Sequence, residues 1–178
     1  MLKSVAKVAT VAIVGALALT GCSVTNPQVA AYVDGTPVSQ TEVDTVSRVL
    51  AESTADPLDT AGSFAPTVLT IIVQSKLAAK TAAEKGITVT EAQRQTVIAQ
   101  NEVYGTLLGN PATAAFMTGF ANASVILSDQ SAVPVFQDVV ARTPVRVNPR
   151  FGEWNKEQAA LAEGSSGSLS ELAPLPQQ

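Results

Sequence analysis

Apolar residues recur at helical spacing in five stretches of the chain, which predicts a mostly α-helical domain. A capping box formed by Ser39 and Glu42 is expected to start the first helix. The most apolar stretch, residues 65–85, carries charges only towards its end, so we expect it to be the central and most buried helix. The remaining three helices are predicted at about residues 90–108, from Asn110-Pro111 to about 127, and at 132–142.

Two short extended segments flank these helices. Residues 30–33 are apolar and are followed by the turn signal Asp34-Gly35, and Val145-Arg146-Val147 alternates apolar and polar residues. Because an isolated two-stranded unit is marginal in water, we expect the two segments to pair and to lean on the helices. The predicted fold is therefore mostly α, with about five helices and a small two-stranded sheet that joins the N- and C-terminal segments. A terminal strand of this kind can also be exchanged between two copies to give a swapped homodimer.

The first residues have the layout of a bacterial export signal. Lys3 and Lys7 precede twelve uncharged, mostly apolar residues, 8–19, which are too few to cross a bilayer core that needs about 20. The stretch ends in Leu19-Thr20-Gly21-Cys22, which resembles the lipobox of bacterial lipoproteins, where the cysteine is diacylglycerated and the chain is cut before it. Residues 1–21 are accordingly predicted to be a lipoprotein signal peptide.

Lipid on Cys22 is the predicted attachment to the extracytoplasmic face of the cell membrane. One acyl chain holds a protein only marginally, at about 0.8 kcal/mol per buried methylene, whereas two or three chains such as palmitate anchor it stably. The alternative is an ordinary signal peptide with a chance cysteine. Such a peptide ends in a small-x-small pattern and needs no cysteine, so the Leu-x-Gly-Cys ending favours the lipoprotein.

Composition shifts divide the rest of the chain. Residues 22–28 are polar and interrupted by a proline, which indicates a short lipid-anchored tether, and residues 29–154 form the predicted helical domain. Residues 155–178 are predicted to be a mostly disordered tail, because their second part is rich in Gly, Ser and Pro and offers little apolar surface to bury.

The amino-acid composition argues against several kinds of catalytic and metal-binding site. The chain has no histidine, which excludes Ser-His-Asp and Cys-His nucleophilic systems and every His-ligated metal site. Its one cysteine is assigned to lipid, and no Gly-rich phosphate loop is present. We therefore expect no enzyme, no cofactor, and neither catalytic nor metal-binding residues.

Charge limits the partners. Without residues 1–21 the chain retains 9 basic and 15 acidic residues, a net charge of −6. This acidity argues against nucleic acid and against electrostatic attraction to anionic lipid headgroups.

Apolar side chains remain as candidates for contact with polypeptide clients. Flexible methionine and aromatic surfaces suit promiscuous binding. The alternative is that the three in the fourth helix belong to the core and that the two near the end of the domain pin the terminal strand. The candidates are Phe116, Met117, Phe120, Phe151 and Trp154.

Three segments carry a resemblance to a known family. Residues 30–44, Ala-Ala-Tyr-Val-Asp-Gly-Thr-Pro-Val-Ser-Gln-Thr-Glu-Val-Asp, resemble the start of SurA- and PrsA-type periplasmic foldases, in which a strand leads into a helix with a Glu near its first turn. The likeness continues over residues 77–91, where a long helix ends and the next one is capped. Residues 145–152 look like the closing strand of actinobacterial lipoproteins of this type.

The resemblance implies a helical domain that binds unfolded or envelope proteins. Many members of the family add a parvulin prolyl isomerase domain, but this chain has no room for one and lacks the histidines that parvulin sites use. Two hypotheses follow from the sequence. One is chaperone-like binding of exported or unfolded polypeptides, and the other is a structural or adaptor lipoprotein that docks one fixed partner in an envelope complex.

The lipobox yields the first testable prediction. The intact mass of the mature wild-type protein should begin at Cys22 and include a diacylglyceryl group. Cys22→Ser should give an uncleaved or untethered product, because no other group can accept the lipid. A mature mass that starts at another residue, or that lacks lipid, contradicts the assignment.

Overall fold

The computed structural model describes residues 26–53 and 60–162 of the 178. The predicted signal peptide, the lipobox with Cys22, most of the tether and the last 16 residues of the predicted tail lie outside this part of the chain.

A tight hairpin opens the described structure. Strand β1, Val29–Val33, pairs antiparallel with β2, Thr36–Ser39. The two-residue turn places Asp34 at φ 51° and Gly35 at φ 76°, backbone angles that Asp and Gly accept most readily. The Asp-Gly pair thus sets the register of the hairpin.

The last segment of the helical domain returns to this hairpin. Strand β3, Val145–Val147, pairs antiparallel with β1, with Ala31 opposite Val147 and Val33 opposite Val145. This confirms the predicted pairing of the two ends. The sheet has three strands in the order β2-β1-β3 and not two, because the segment after the Asp-Gly turn folds back onto β1 as well.

Six α-helices of the described ranges lie between β2 and β3 in the chain. They are α1 Gln40–Ser53, α2 Ala61–Lys85, α3 Glu91–Ile98, α4 Glu102–Gly109, α5 Ala114–Ser128 and α6 Val133–Arg142. The mostly helical fold with a small antiparallel sheet is as predicted.

Helix α2 is the centre of the core. It packs against α1, α5, α6 and β1. Its apolar stripe is buried completely or nearly so, and the helix ends at Gly86 in the left-handed conformation, with the Ile87 amide bonded to the Ala82 carbonyl. The buried apolar residues of the stripe are Val68, Leu69, Ile72, Val73, Leu77 and Ala78.

Three helix boundaries differ from the predictions. Helix α5 begins at Ala114 and not at Asn110-Pro111, because residues 111–113 form a turn before it. Helix α2 begins four residues early, because the Thr60 and Ser63 side chains bond to each other's backbone amides and cap it. The single helix predicted at 90–108 is two helices, since the Asn101 side chain accepts a hydrogen bond from the Val103 amide and starts α4.

The ordered chain continues beyond the predicted domain end at residue 154. After a 3-10 turn at Pro149–Phe151, strands β4, Glu153–Asn155, and β5, Ala160–Ala162, form a second hairpin. Side chains of α2 hold it in place, because Gln74 donates to the Ala159 carbonyl at 2.9 Å and Thr70 accepts from the Leu161 amide at 3.3 Å. The first residues of the predicted disordered tail therefore belong to the domain.

A close contact between α2 and α5 yields a prediction. A methyl group on Gly119 would lie 3.4 Å from Cβ of Ser75, so there is room for alanine but not for a larger side chain. Gly119→Ala should melt at or above the wild-type temperature, because alanine favours a helix by about 1 kcal/mol over glycine. Gly119→Leu should lose about 1–3 kcal/mol by overpacking.

The matched control is Gly105→Leu in α4, where an added Cβ meets no atom within 4 Å. It should melt at or slightly above the wild-type temperature, because leucine also favours a helix over glycine and meets no steric conflict there. If Gly119→Leu and Gly105→Leu melt alike, the contact between the two helices is not tight.

Candidate binding groove on the outer face of the sheet

A concave surface of the described residues lies along β1 and β3. We call it the sheet-face groove, and its volume is about 640 Å³. It extends from the segment before β1 to the turn after it and is bounded by the residues on either side of β3. Its lining residues are Asn26, Val29, Ala31, Tyr32, Gly35, Pro144, Arg146, Val147, Asn148 and Pro149.

The strand register determines which side chains face the groove. Ala31 and Val33 are buried, and they alternate along β1 with Tyr32, which is half-buried. Tyr32 lies opposite Arg146 on β3, so this pair shares the outer face of the sheet. The hairpin turn and the return of β3 together create this face.

Asparagine side chains fix the backbone at one end of the groove. Asn26 accepts a hydrogen bond from the Gln28 amide at 3.0 Å, and its carbonyl accepts one from the Val29 amide at 2.9 Å. The Asn148 side-chain oxygen accepts a hydrogen bond from the Arg150 backbone amide at 3.2 Å. The Asn148 backbone amide donates to the Ala30 carbonyl at 2.8 Å. The start of β1 and the end of β3 are therefore held together at this end.

At the other end, the Asp34 amide donates to the Pro144 carbonyl at 2.9 Å. The Asp34 carboxylate forms an ion pair with Lys80 of α2. This contact ties the hairpin turn to the central helix.

Among the groove-lining residues, Arg146 is the one with a charged side chain. Neither its guanidinium nor the Tyr32 hydroxyl has an ion-pair or hydrogen-bond partner within the described ranges. The groove therefore offers apolar surface, one aromatic ring and one unpaired cation.

The five predicted client-contact residues are not in this groove. Phe116, Met117 and Phe151 are buried in the core, at 8%, 1% and 7% exposure, which favours their structural alternative. Phe120 packs edge-on against Tyr104 with ring centroids 5.1 Å apart. Trp154 is partly buried in β4.

Two smaller cavities accompany the groove. One, of about 310 Å³, lies between α3 and α5 and is lined partly by Met117 and by the ion pair of Arg94 with Glu91. The other, of about 300 Å³, lies where Asp44, the start of α2 and Phe151 meet. Both are about half the volume of the sheet-face groove.

Within the described residues, neither shifted pKa values nor clustered metal ligands indicate a catalytic or metal site at the groove. A hydrogen bond from Gln95, and a second from Arg94, hold the pKa of Glu91 below its usual value, so it stays charged at neutral pH. In residues 26–53 and 60–162, no three His, Cys, Asp or Glu residues come together as metal ligands. In the same part of the chain, no helix has the length and apolar character needed to cross a bilayer.

The sequence analysis did not identify Tyr32 and Arg146 as candidate binding residues. Each alternates with apolar neighbours in its strand, which predicts that the two side chains face the same side once the strands pair. Whether a helix covers that side cannot be derived from alternation, because it depends on the path of the helices.

The chain matches no family model, no curated protein and no solved structure.

Proposed function

We propose that this protein is a membrane-anchored envelope lipoprotein that binds extended segments of exported or unfolded polypeptides in the sheet-face groove. The observation that carries the proposal is the groove itself: a concave, largely apolar surface that includes a half-buried tyrosine and belongs to a domain with a complete core of its own.

The chemistry of the lining suits varied polypeptides. Aliphatic and proline side chains offer non-directional contacts, and Tyr32 adds a rigid ring that contacts many side chains at little entropic cost. A strand of five residues spans roughly 17 Å at about 3.3 Å per residue. An extended segment of about five residues would therefore fill the groove.

The short tether would keep the groove near the membrane. Asn26, which lines the groove, lies four residues after Cys22. Four extended residues span at most about 14 Å, so lipid on Cys22 would hold the groove close to the membrane surface. Polypeptides that emerge at the extracytoplasmic face would meet the groove before they fold.

Binding to several unrelated unfolded polypeptides tests the proposal. The lipidated mature protein in detergent micelles should bind reduced, carboxymethylated α-lactalbumin and ribonuclease, and β-casein, in a fluorescence anisotropy assay. It should bind the folded forms of the first two weakly. Tyr32→Ser should reduce each affinity at least about fivefold, since an aromatic contact contributes about 1 kcal/mol or more.

The control is Val135→Ser, which removes a half-buried apolar side chain of α6 outside the groove. Circular dichroism and melting should show that both variants are folded. An adaptor lipoprotein with one fixed partner would bind none of the unfolded probes. Equal losses in the two variants would place binding outside the groove.

A further inference from the structure

Arg146 differs from the other arginines of the described ranges in its charge environment. Each of the other four lies within 4.0 Å of a carboxylate: Arg48 of Glu52, Arg94 of Glu91, Arg142 of Glu84 and Asp138, and Arg150 of Asp44. Among the residues that the structure describes, no carboxylate lies within 4.0 Å of Arg146, which stands at the middle of β3 between two valines.

The surroundings of Arg146 are suited to an anionic partner. Apolar residues Val29, Val147 and Pro144 line the same groove, and no acidic residue is among the lining. A guanidinium presents a planar fork of donors that matches a carboxylate, and such a pair strengthens where neighbouring apolar groups exclude water. The groove therefore suits a ligand that places one negative charge beside Arg146.

We propose that the sheet-face groove selects extended polypeptide segments in which one aspartate or glutamate is flanked by apolar residues, and that Arg146 pairs with its carboxylate. This inference rests on the proposed polypeptide binding. Tyr32, which lies opposite Arg146 in the register, then contacts an apolar residue next to the acidic one.

The shape and charge of the molecule favour a polypeptide over the membrane surface as the occupant. A planar bilayer would meet the rim of a concave groove before its floor, whereas an extended chain is narrow enough to lie along it. The mature chain carries a net charge of −6, which opposes approach to an anionic lipid surface as a whole. A short segment meets only the local field of Arg146, because other exposed charges are screened beyond about 8 Å at physiological salt.

The test pairs two protein forms with two peptides. The probe is a dye-labelled ten-residue peptide with one central aspartate between valines, and its partner carries asparagine in that place. The lipidated full-length mature wild type should bind the aspartate peptide about two- to fivefold more tightly than the asparagine peptide, as expected for a partly exposed ion pair. Arg146→Gln should bind both peptides equally, and 0.5 M salt should remove the preference from the wild type.

Arg48→Gln is the matched control, because it removes one exposed arginine of α1 that lies outside the groove. Arg48→Gln should retain the full preference for the aspartate peptide. Arg146→Lys should retain part of this preference. Peptide preference lost equally in Arg48→Gln and Arg146→Gln would reflect net charge alone and overturn the inference.

Three further outcomes have separate meanings. If Arg146→Gln weakens both peptides by the same factor, selection by charge is wrong while binding in the groove stands. If the wild type binds the unfolded proteins but neither peptide, the groove is not the selective site and the inference is overturned. If Arg146→Gln loses binding to phosphatidylglycerol vesicles but not to the peptides, Arg146 serves a lipid headgroup, which also overturns it.

Discussion

The pairing of β1 with β3 is the constraint on which the rest of the architecture depends. It joins segments more than a hundred residues apart in the chain, so the six α-helices of the described residues lie inside the loop that it closes. Closing such a loop costs conformational entropy that three residue pairs cannot offset by themselves. The helices supply the difference, because the inner face of β1 is buried against the core around α2. The sheet and the helical layer therefore form only together.

The same pairing determines where the sheet-face groove lies. A sheet with open edges invites other strands, but here the outer edge of β2 contains Pro37, which has no amide to donate. The second hairpin is likewise bonded to side chains of α2 at Ala159 and Leu161. The outer face with Tyr32 and Arg146 is the surface on which we propose that polypeptides bind. Strand exchange into a homodimer stays a prediction and would have to break the ion pair of Asp34 with Lys80.

Local signals predicted the elements that local chemistry decides. The Asp34-Gly35 turn was predictable because few residue pairs accept two consecutive positive φ angles, and Gly86 marked the end of α2 for the same reason. The second hairpin was not predictable, since residues 157–162, Glu-Gln-Ala-Ala-Leu-Ala, favour a helix by intrinsic propensity. Side chains of α2, distant in sequence, override that preference. The groove could not be predicted from the sequence for a similar reason, because the position of uncovered surface depends on how all the elements pack.

The central claim is that a groove held near the membrane by lipid binds many exported polypeptides. Its most direct test replaces Tyr32 with a photo-crosslinking phenylalanine derivative in cells that export the full-length protein, with the same group at the exposed Gln137 of α6 as the comparison. Irradiation at position 32 should give membrane-associated adducts of several different masses that contain segments of exported proteins, and position 137 should give few. A single adduct of fixed mass at position 32, or the same adducts at both positions, would contradict the claim.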